Sequence, residues 1–277
     1  MFIMDGLYRE MWSESGELAD SKYLTTENKR CLGKIVIKKS QHKDNGRFFY
    51  TITFKEDLFN NDSFKEKAVR ETMDVLNSFF KKYSLSKLSK ILVVGLGNDK
   101  VTADSLGGYV ADKLIVSSHL FSQENIKNRY GNLCAIKCGV SGTTGIPSYE
   151  IIKAVVASVK PDLMLAVDTL AGTTTSALAK NIQISDNGIE PGGGINNPQT
   201  KLNFDTIGIP VIAIGVPLVI YVKRILMEYL GENNLRADEE LLSLVVTAKE
   251  IDFLIKDYSY IISESINRLV HNTHTEL

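Results

Sequence analysis

Ile91-Leu-Val-Val-Gly-Leu-Gly-Asn-Asp-Lys-Val-Thr-Ala-Asp-Ser-Leu-Gly107 decides how the rest of this chain is read. It opens on four apolar residues, Ile91 to Val94, three of them β-branched. That is the pattern of a strand buried on both faces. Gly95 and Gly97 end the strand, a short polar loop follows, and the spacing predicts a helix from about Thr102 to His119 with Leu106, Val110 and Leu114 inward. The passage sets Asn98, Asp99 and Asp104 on the rim where a strand hands over to a helix, the place where open α/β sheets bind ligands. Gly95-Leu-Gly97 is only the start of a dinucleotide fingerprint, because Lys100 stands where the third glycine belongs. No G-x-x-x-x-G-K-[ST] occurs either, so no nucleotide cofactor is expected.

Downstream the pattern alternates. Leu133 to Val140 reads as a strand, Ser148 to Val159 as a helix behind Pro147, and Leu163 to Val167 as an all-apolar strand ending at Asp168. Lys180 to Ser185 is a further strand, and Gly188 to Asn197 is a glycine-rich loop carrying Gly192, Gly193 and Gly194. Val211 to Gly215 is another buried strand, with Pro217 preceding a helix that reaches about Leu230. Thr247-Ala-Lys-Glu250 reads as a capping box for a last helix, whose stripe runs through Ile251, Leu254, Tyr258, Ile262, Ile266 and Leu269. Strands alternating with helices imply an α/β fold whose central sheet is mainly parallel, with the strands near 91–95, 163–167 and 211–215 inside it.

Upstream, Lys34 to Lys39 and Phe48 to Phe54 are short β-rich runs around Asn45-Gly46, a hairpin signal. Ser63 to Tyr83 has helical spacing. The reading is one domain over 1–277: an irregular arm or removable segment over 1–30, an appended hairpin and helix over 31–89, and an α/β core over 90–277.

Bulk composition narrows the function classes. With 44% hydrophobic and 23% charged residues the chain can fold around a core. A net charge of -1 gives no basic field, so no direct nucleic-acid partner is expected. Met1-Phe-Ile-Met4 meets Asp5 at once, which interrupts any signal-peptide apolar region. No apolar run of about 18 residues exists, so no membrane span is expected. The odd count of three cysteines fits a reducing cytoplasm. Cys134 and Cys138 on one strand lie roughly 13 Å apart, too far for one metal ion, and read as buried structural thiols. His42, His119, His271 and His274 show no metal spacing, so no metal ligands are assigned; His271 and His274 read as solvated tail residues and His119 as a structural helix end.

Two carboxylates stand out by position. Asp104 falls in the first turn of a helix capped by Thr102, where the helix dipole favours its ionised form. Asp168 closes an apolar strand, where burial raises its pKa. Both follow strands expected to be parallel neighbours. A close pair cannot easily ionise twice, so one keeps a proton and the pair supplies a general base and a general acid. The pattern leaves the quieter reading open: first-turn aspartates usually serve the dipole, and strand-end aspartates usually satisfy loop amides. Ser141 lies in Gly139-Val-Ser-Gly142, which Thr143 excludes from the nucleophile elbow. Asn98 on the rim, Thr173 at the head of a threonine run, and Gly192, Gly193 and Gly194 are the candidates for substrate contact. The glycines would let a peptide backbone approach closely.

Several ordered blocks carry a resemblance. Val93 to Gly107, Gly142-Thr-Thr-Gly-Ile146, Ala166-Val-Asp-Thr-Leu-Ala171, Ile182 to Gly192, Gly208 to Pro217 and Val246-Thr-Ala-Lys-Glu-Ile-Asp252 closely resemble segments of the bacterial spore germination protease family, in the same order. The resemblance covers about residues 88 to 270. It implies an endopeptidase that degrades the small acid-soluble proteins coating spore DNA, working in the spore core as an atypical aspartic peptidase without a metal or other cofactor. Its proposed catalytic pair falls on Asp104 and Asp168. The resemblance further implies a tetrameric zymogen that loses an N-terminal propeptide, and a three-layer α/β/α sandwich resembling hydrogenase maturation endopeptidases. The chain departs from the family pattern after Asp168, where Gly172-Thr-Thr-Thr-Ser176 replaces expected arginines, and after Gly194, where Ile195-Asn-Asn-Pro198 replaces a Gly-Asn and a basic residue. Ser118 also replaces an arginine before His119, and no family-like Arg-Thr-Asp-Leu-Ala segment is evident. Two other readings are carried forward. One is a metal-dependent maturation-type protease with His119 as its imidazole; the other is a divergent non-catalytic spore protein that binds a peptide.

Overall fold

The computed structural model describes residues 23–24, 30–42, 46–191, 200–231 and 238–271. The arm over 1–30 lies almost wholly outside the described residues, as do Gly192, Gly193, Gly194 and His274. In chain order the strands are β1 (Tyr23–Leu24), β2 (Arg30–Leu32), β3 (Ile35–His42), β4 (Phe48–Phe54), β5 (Lys90–Gly95), β6 (Asn132–Lys137), β7 (Leu163–Gly172), β8 (Asn181–Ser185), β9 (Val211–Tyr221) and β10 (Val245–Thr247). The helices are α1 (Asp62–Lys82), α2 (Leu106–Asp112), α3 (Glu124–Arg129), α4 (Ser141–Thr144), α5 (Ser148–Val159), α6 (Phe204–Ile207), α7 (Val222–Leu230), α8 (Glu239–Ser243) and α9 (Ile251–His271).

All these strands join one sheet in the order β1-β3-β4-β8-β9-β7-β5-β6, with β2 beside β3 and β10 beside β9. β5, β7 and β9 are interior, as their unbroken apolar runs predict. Ile91 and Val93 enter the core on one face while Leu92 and Val94 enter the core on the other. Leu163, Leu165 and Val167 divide from Met164 and Ala166 in the same way. α1, α2 and α9 cover the first face through Leu76, Phe79, Leu106, Val110, Tyr258 and Ile262. α5 covers the second through Ile152 and Val156, together with Leu202 and Ile207.

The expectation of a mainly parallel sheet is corrected. Among the described residues only β5–β6, β5–β7 and β7–β9 pair in parallel. β8 returns antiparallel to β9, and β4, β3, β2 and β1 continue antiparallel beyond it. The N-terminal hairpin is therefore the outer half of the same sheet. An apolar run declares double burial but not the direction of its neighbour, which is why sequence pattern alone missed this.

Other boundaries shift for local reasons. The helix expected from Thr102 to His119 is a single turn of 3-10 helix, Thr102–Asp104, followed by the short α2, with His119 in a separate 3-10 turn at Ser118–Leu120. β7 runs on through Asp168 to Gly172. Pro217 lies inside β9, where the β7–β9 register slips between Leu170 and Ala171, so it marks an irregularity and not a helix start. Thr247 sits in β10 and its hydroxyl donates to Leu218 O (2.6 Å), so it does not cap α9. His271 is buried at the end of α9, not solvated. No helix among the described residues is long and apolar enough to cross a membrane.

Candidate active site

β5 stops at Gly95, and the chain doubles back on itself before α2. Gly97 has φ +91°, and a Cβ there would collide with the main-chain oxygen of Asp104. A Cβ on Gly95 would strike Gly107 O, and one on Gly107 would strike Leu96 and Val167 O. Glycines at these positions let the loop fold flat against the strand ends. The Asn98 N–H then donates both to Asp104 O (3.1 Å) and to Asp104 Oδ2 (2.8 Å). Leu96 N–H donates to Val167 O (2.9 Å), which seats the loop against β7 next to Asp168.

Asp168 is buried, 7% exposed, and its Oδ1 accepts the N–H of Thr169 (2.8 Å). Burial pushes its carboxyl well above the usual carboxylate range, the neighbouring Asp104 charge pushes it further, and the Thr169 N–H partly offsets both. Burial raises Asp104 to about 6, against the opposing pull of the Asn98 N–H. The deeper carboxyl is therefore held toward its protonated form, while the shallower one ionises above about pH 6. The dipole argument for Asp104 is corrected: it sits in a 3-10 turn before α2, and dehydration outweighs its hydrogen bond.

The other sequence candidates fall in different places. Asn98 serves Asp104 through its main chain, while its side chain closes a turn by accepting from Lys100 N–H (3.1 Å). Thr173 follows the end of β7, and the run is pinned to α7 because Thr175 gives its N–H (2.7 Å) and hydroxyl (3.0 Å) to the Glu228 carboxylate. Gly192, Gly193 and Gly194 lie outside the described residues. Of Lys180, Lys201 and Arg224, the candidate substitutes for the absent arginines, Lys180 is paired with Asp57 (3.1 Å) at the surface. Cys134 Sγ reaches Ile91 O (3.4 Å) and Cys138 is buried; burial raises both thiols, as suits structural cysteines. Among the described residues no three His, Cys, Asp or Glu side chains converge as a metal-binding group.

Sequence reasoning missed Thr169, whose N–H orients Asp168, and the extension of β7 that carries it. The available signal was the continued alternation of Leu170 and Gly172 inward past the carboxylate.

Residues 28–230 match a family described as germination protease. The chain is 41% identical over 163 residues to the germination protease of Bacillus subtilis, covering 58% of this chain and 44% of that one. It is 38% identical over 224 residues to that of Caldanaerobacter subterraneus, covering 69% of each chain. With the Bacillus licheniformis protein the identity is 43% over 158 residues, 56% of this chain and 43% of the relative. Against both Bacillus relatives the match spans less than half of the relative's length, 44% and 43%.

Proposed function

Because this chain belongs to the germination protease family, we propose that it is an endopeptidase that cleaves with Asp104 and Asp168 as an acid–base pair. The observation that carries this reading is a pair of neighbouring carboxyls, Asp104 in the turn after β5 and Asp168 within β7, which burial raises to unequal degrees. Ionised Asp104 takes a proton from water, and the water oxygen attacks the peptide carbonyl. Protonated Asp168 hydrogen-bonds the carbonyl oxygen and stabilises the charge that develops there. The proton held by Asp104 then passes to the departing amine, and the carboxyl pair returns to its starting state.

The proposed substrates are small acid-soluble proteins that coat spore DNA, met in the spore core, and the enzyme is proposed to act as a homo-oligomer, a tetramer by family resemblance. Without arginines after Asp168, and with Lys180 held by Asp57, cleavage should be less selective for acidic residues than in a typical family member. Replacing a cleavage-site Glu by Gln should then leave the rate unchanged.

The test is to incubate the purified chain with a small acid-soluble spore protein, with and without chelator. Hydrolysis indifferent to chelator is expected, and Asp104→Asn or Asp168→Asn should each cost at least about 10²-fold in rate. Abolition by chelator would favour the maturation-type reading. Binding without hydrolysis from mildly acidic to neutral pH would favour the non-catalytic one.

A further inference from the structure

β7 outruns its neighbour. β5 pairs with it only from Ile91 to Gly95, against Leu163 to Val167. The last bond on that side is Leu96 N–H to Val167 O (2.9 Å). Beyond it β7 continues through Asp168, Thr169, Leu170 and Ala171 to Gly172, and over that stretch it is paired on one side, by β9. Val167 turns its carbonyl toward β5, so ladder alternation turns the main-chain groups of Thr169 and Ala171 the same way. The Thr169 N–H is taken by Asp168 Oδ1 (2.8 Å), which places that carboxyl against the edge. Among the described residues no hydrogen bond occupies the Thr169 carbonyl or the N–H and carbonyl of Ala171 on this side. Thr169 and Ala171 are half-buried between buried neighbours, and the Thr169 hydroxyl is buried without a hydrogen-bond partner.

Unpaired main-chain groups in a half-buried position are costly unless something completes them. We propose that the edge from Thr169 to Gly172 receives the peptide substrate as an added β-strand, in line with β5 and past its end. The proposal rests on the endopeptidase reading and supplies its mode of recognition. An added strand lies about 4.8 Å from β7, so its main chain runs alongside the Asp168 carboxyl. Main-chain pairing supplies affinity whatever the side chains, and alternate side chains supply selectivity. A substrate held in this way can be gripped without arginines after Asp168.

The experiment uses synthetic peptides tiling a small acid-soluble spore protein. Hydrolysis is followed with the intact chain, and binding by fluorescence anisotropy with Asp104→Asn. The best tile is then remade with a single N-methyl group at each successive position. Strand pairing predicts a period of two: N-methylation at alternate residues weakens binding about tenfold or more, and at the residues between has little effect. In the same complex, amide exchange at Ala171 should slow. Hydrolysis or binding without that alternation overturns the edge proposal and leaves the peptidase reading standing. Alternation in binding with no hydrolysis supports the edge and overturns the peptidase reading. No tile bound or cut overturns both.

Discussion

Asp168 and Asp104 are one residue type in two environments, and the roles proposed for them follow from those environments. The rate should rise as Asp104 ionises around pH 6 and fall again at higher pH as Asp168 loses its proton. A kcat/KM profile without the rising limb would contradict the assignment of Asp104 as base. The same shift acts on stability. Asp168 holds its proton in the folded chain well above the ordinary aspartate value of 3.8, so between the two pKa values the unfolded chain releases a proton that the folded chain keeps. Rising pH therefore costs stability at this site, and stability is best below the unfolded value. Asp168→Asn should melt higher than the parent at pH 7, with the gap closing toward pH 4; equal melting at both would contradict it. His271 works in the opposite sense. Its Nδ1 accepts Gly131 N–H (3.2 Å), so Nε2 carries the proton toward Ile115 O (2.8 Å) and the ring is neutral. Burial lowers its pKa below 6.5, partly offset by the Ile115 bond, so acid favours the unfolded chain as pH falls through that value. His271→Ala should cost about 1–3 kcal/mol in urea unfolding at pH 8 and less at pH 5.

At the scale of elements, the site depends on how closely the β5–α2 passage lies against β7. Gly107 is at the tightest point, where any Cβ would meet the Leu96 main chain and Val167 O. Both neighbours are backbone, so nothing can swing aside. Gly107→Ala should cost about 1–3 kcal/mol and lower activity further than its melting shift explains, because the turn carrying Asp104 must lift. Full activity at unchanged stability would show that the loop has slack. β7 and β9 also act as a pair, both continuing past the carboxylate level to Gly172 and Tyr221, where β10 joins β9. Their overhang sets Asp168 partway along a strand. The apolar run Leu163 to Val167 suggested a strand end there, because an aspartate in a strand interior contradicts propensity.

Across the whole molecule, a buried carboxylate adds to the apolar packing that holds the antiparallel half against the helical layer. Asp186, just past β8, accepts Phe48 N–H (2.6 Å) from β4 and both Lys82 Nζ (2.6 Å) and the Tyr83 hydroxyl (2.8 Å) from the end of α1. Its side chain has no exposure while that of Lys82 retains 26%, so removing the carboxylate strands a partly buried ammonium and a strand N–H. Asp186→Ala should destabilise by about 3–5 kcal/mol. Calorimetry showing less than about 1 kcal/mol would mean that water replaces the clasp.

The sequence by itself determined the interior strands, Ser148–Val159 as a helix and the apolar stripe of α9. Burial on both faces, or along one stripe, is written locally in residue type and spacing. Only the tertiary structure decided that β8 runs antiparallel to β9 and that the β3–β4 hairpin joins the central sheet through β8, that β7 passes Asp168 with an open edge, that Pro217 lies within a strand, and that His271 is enclosed. It also supplied the burial that raises both carboxyls. Strand direction, edge exposure and dehydration depend on what packs against a residue from distant parts of the chain, and no local pattern records its partner.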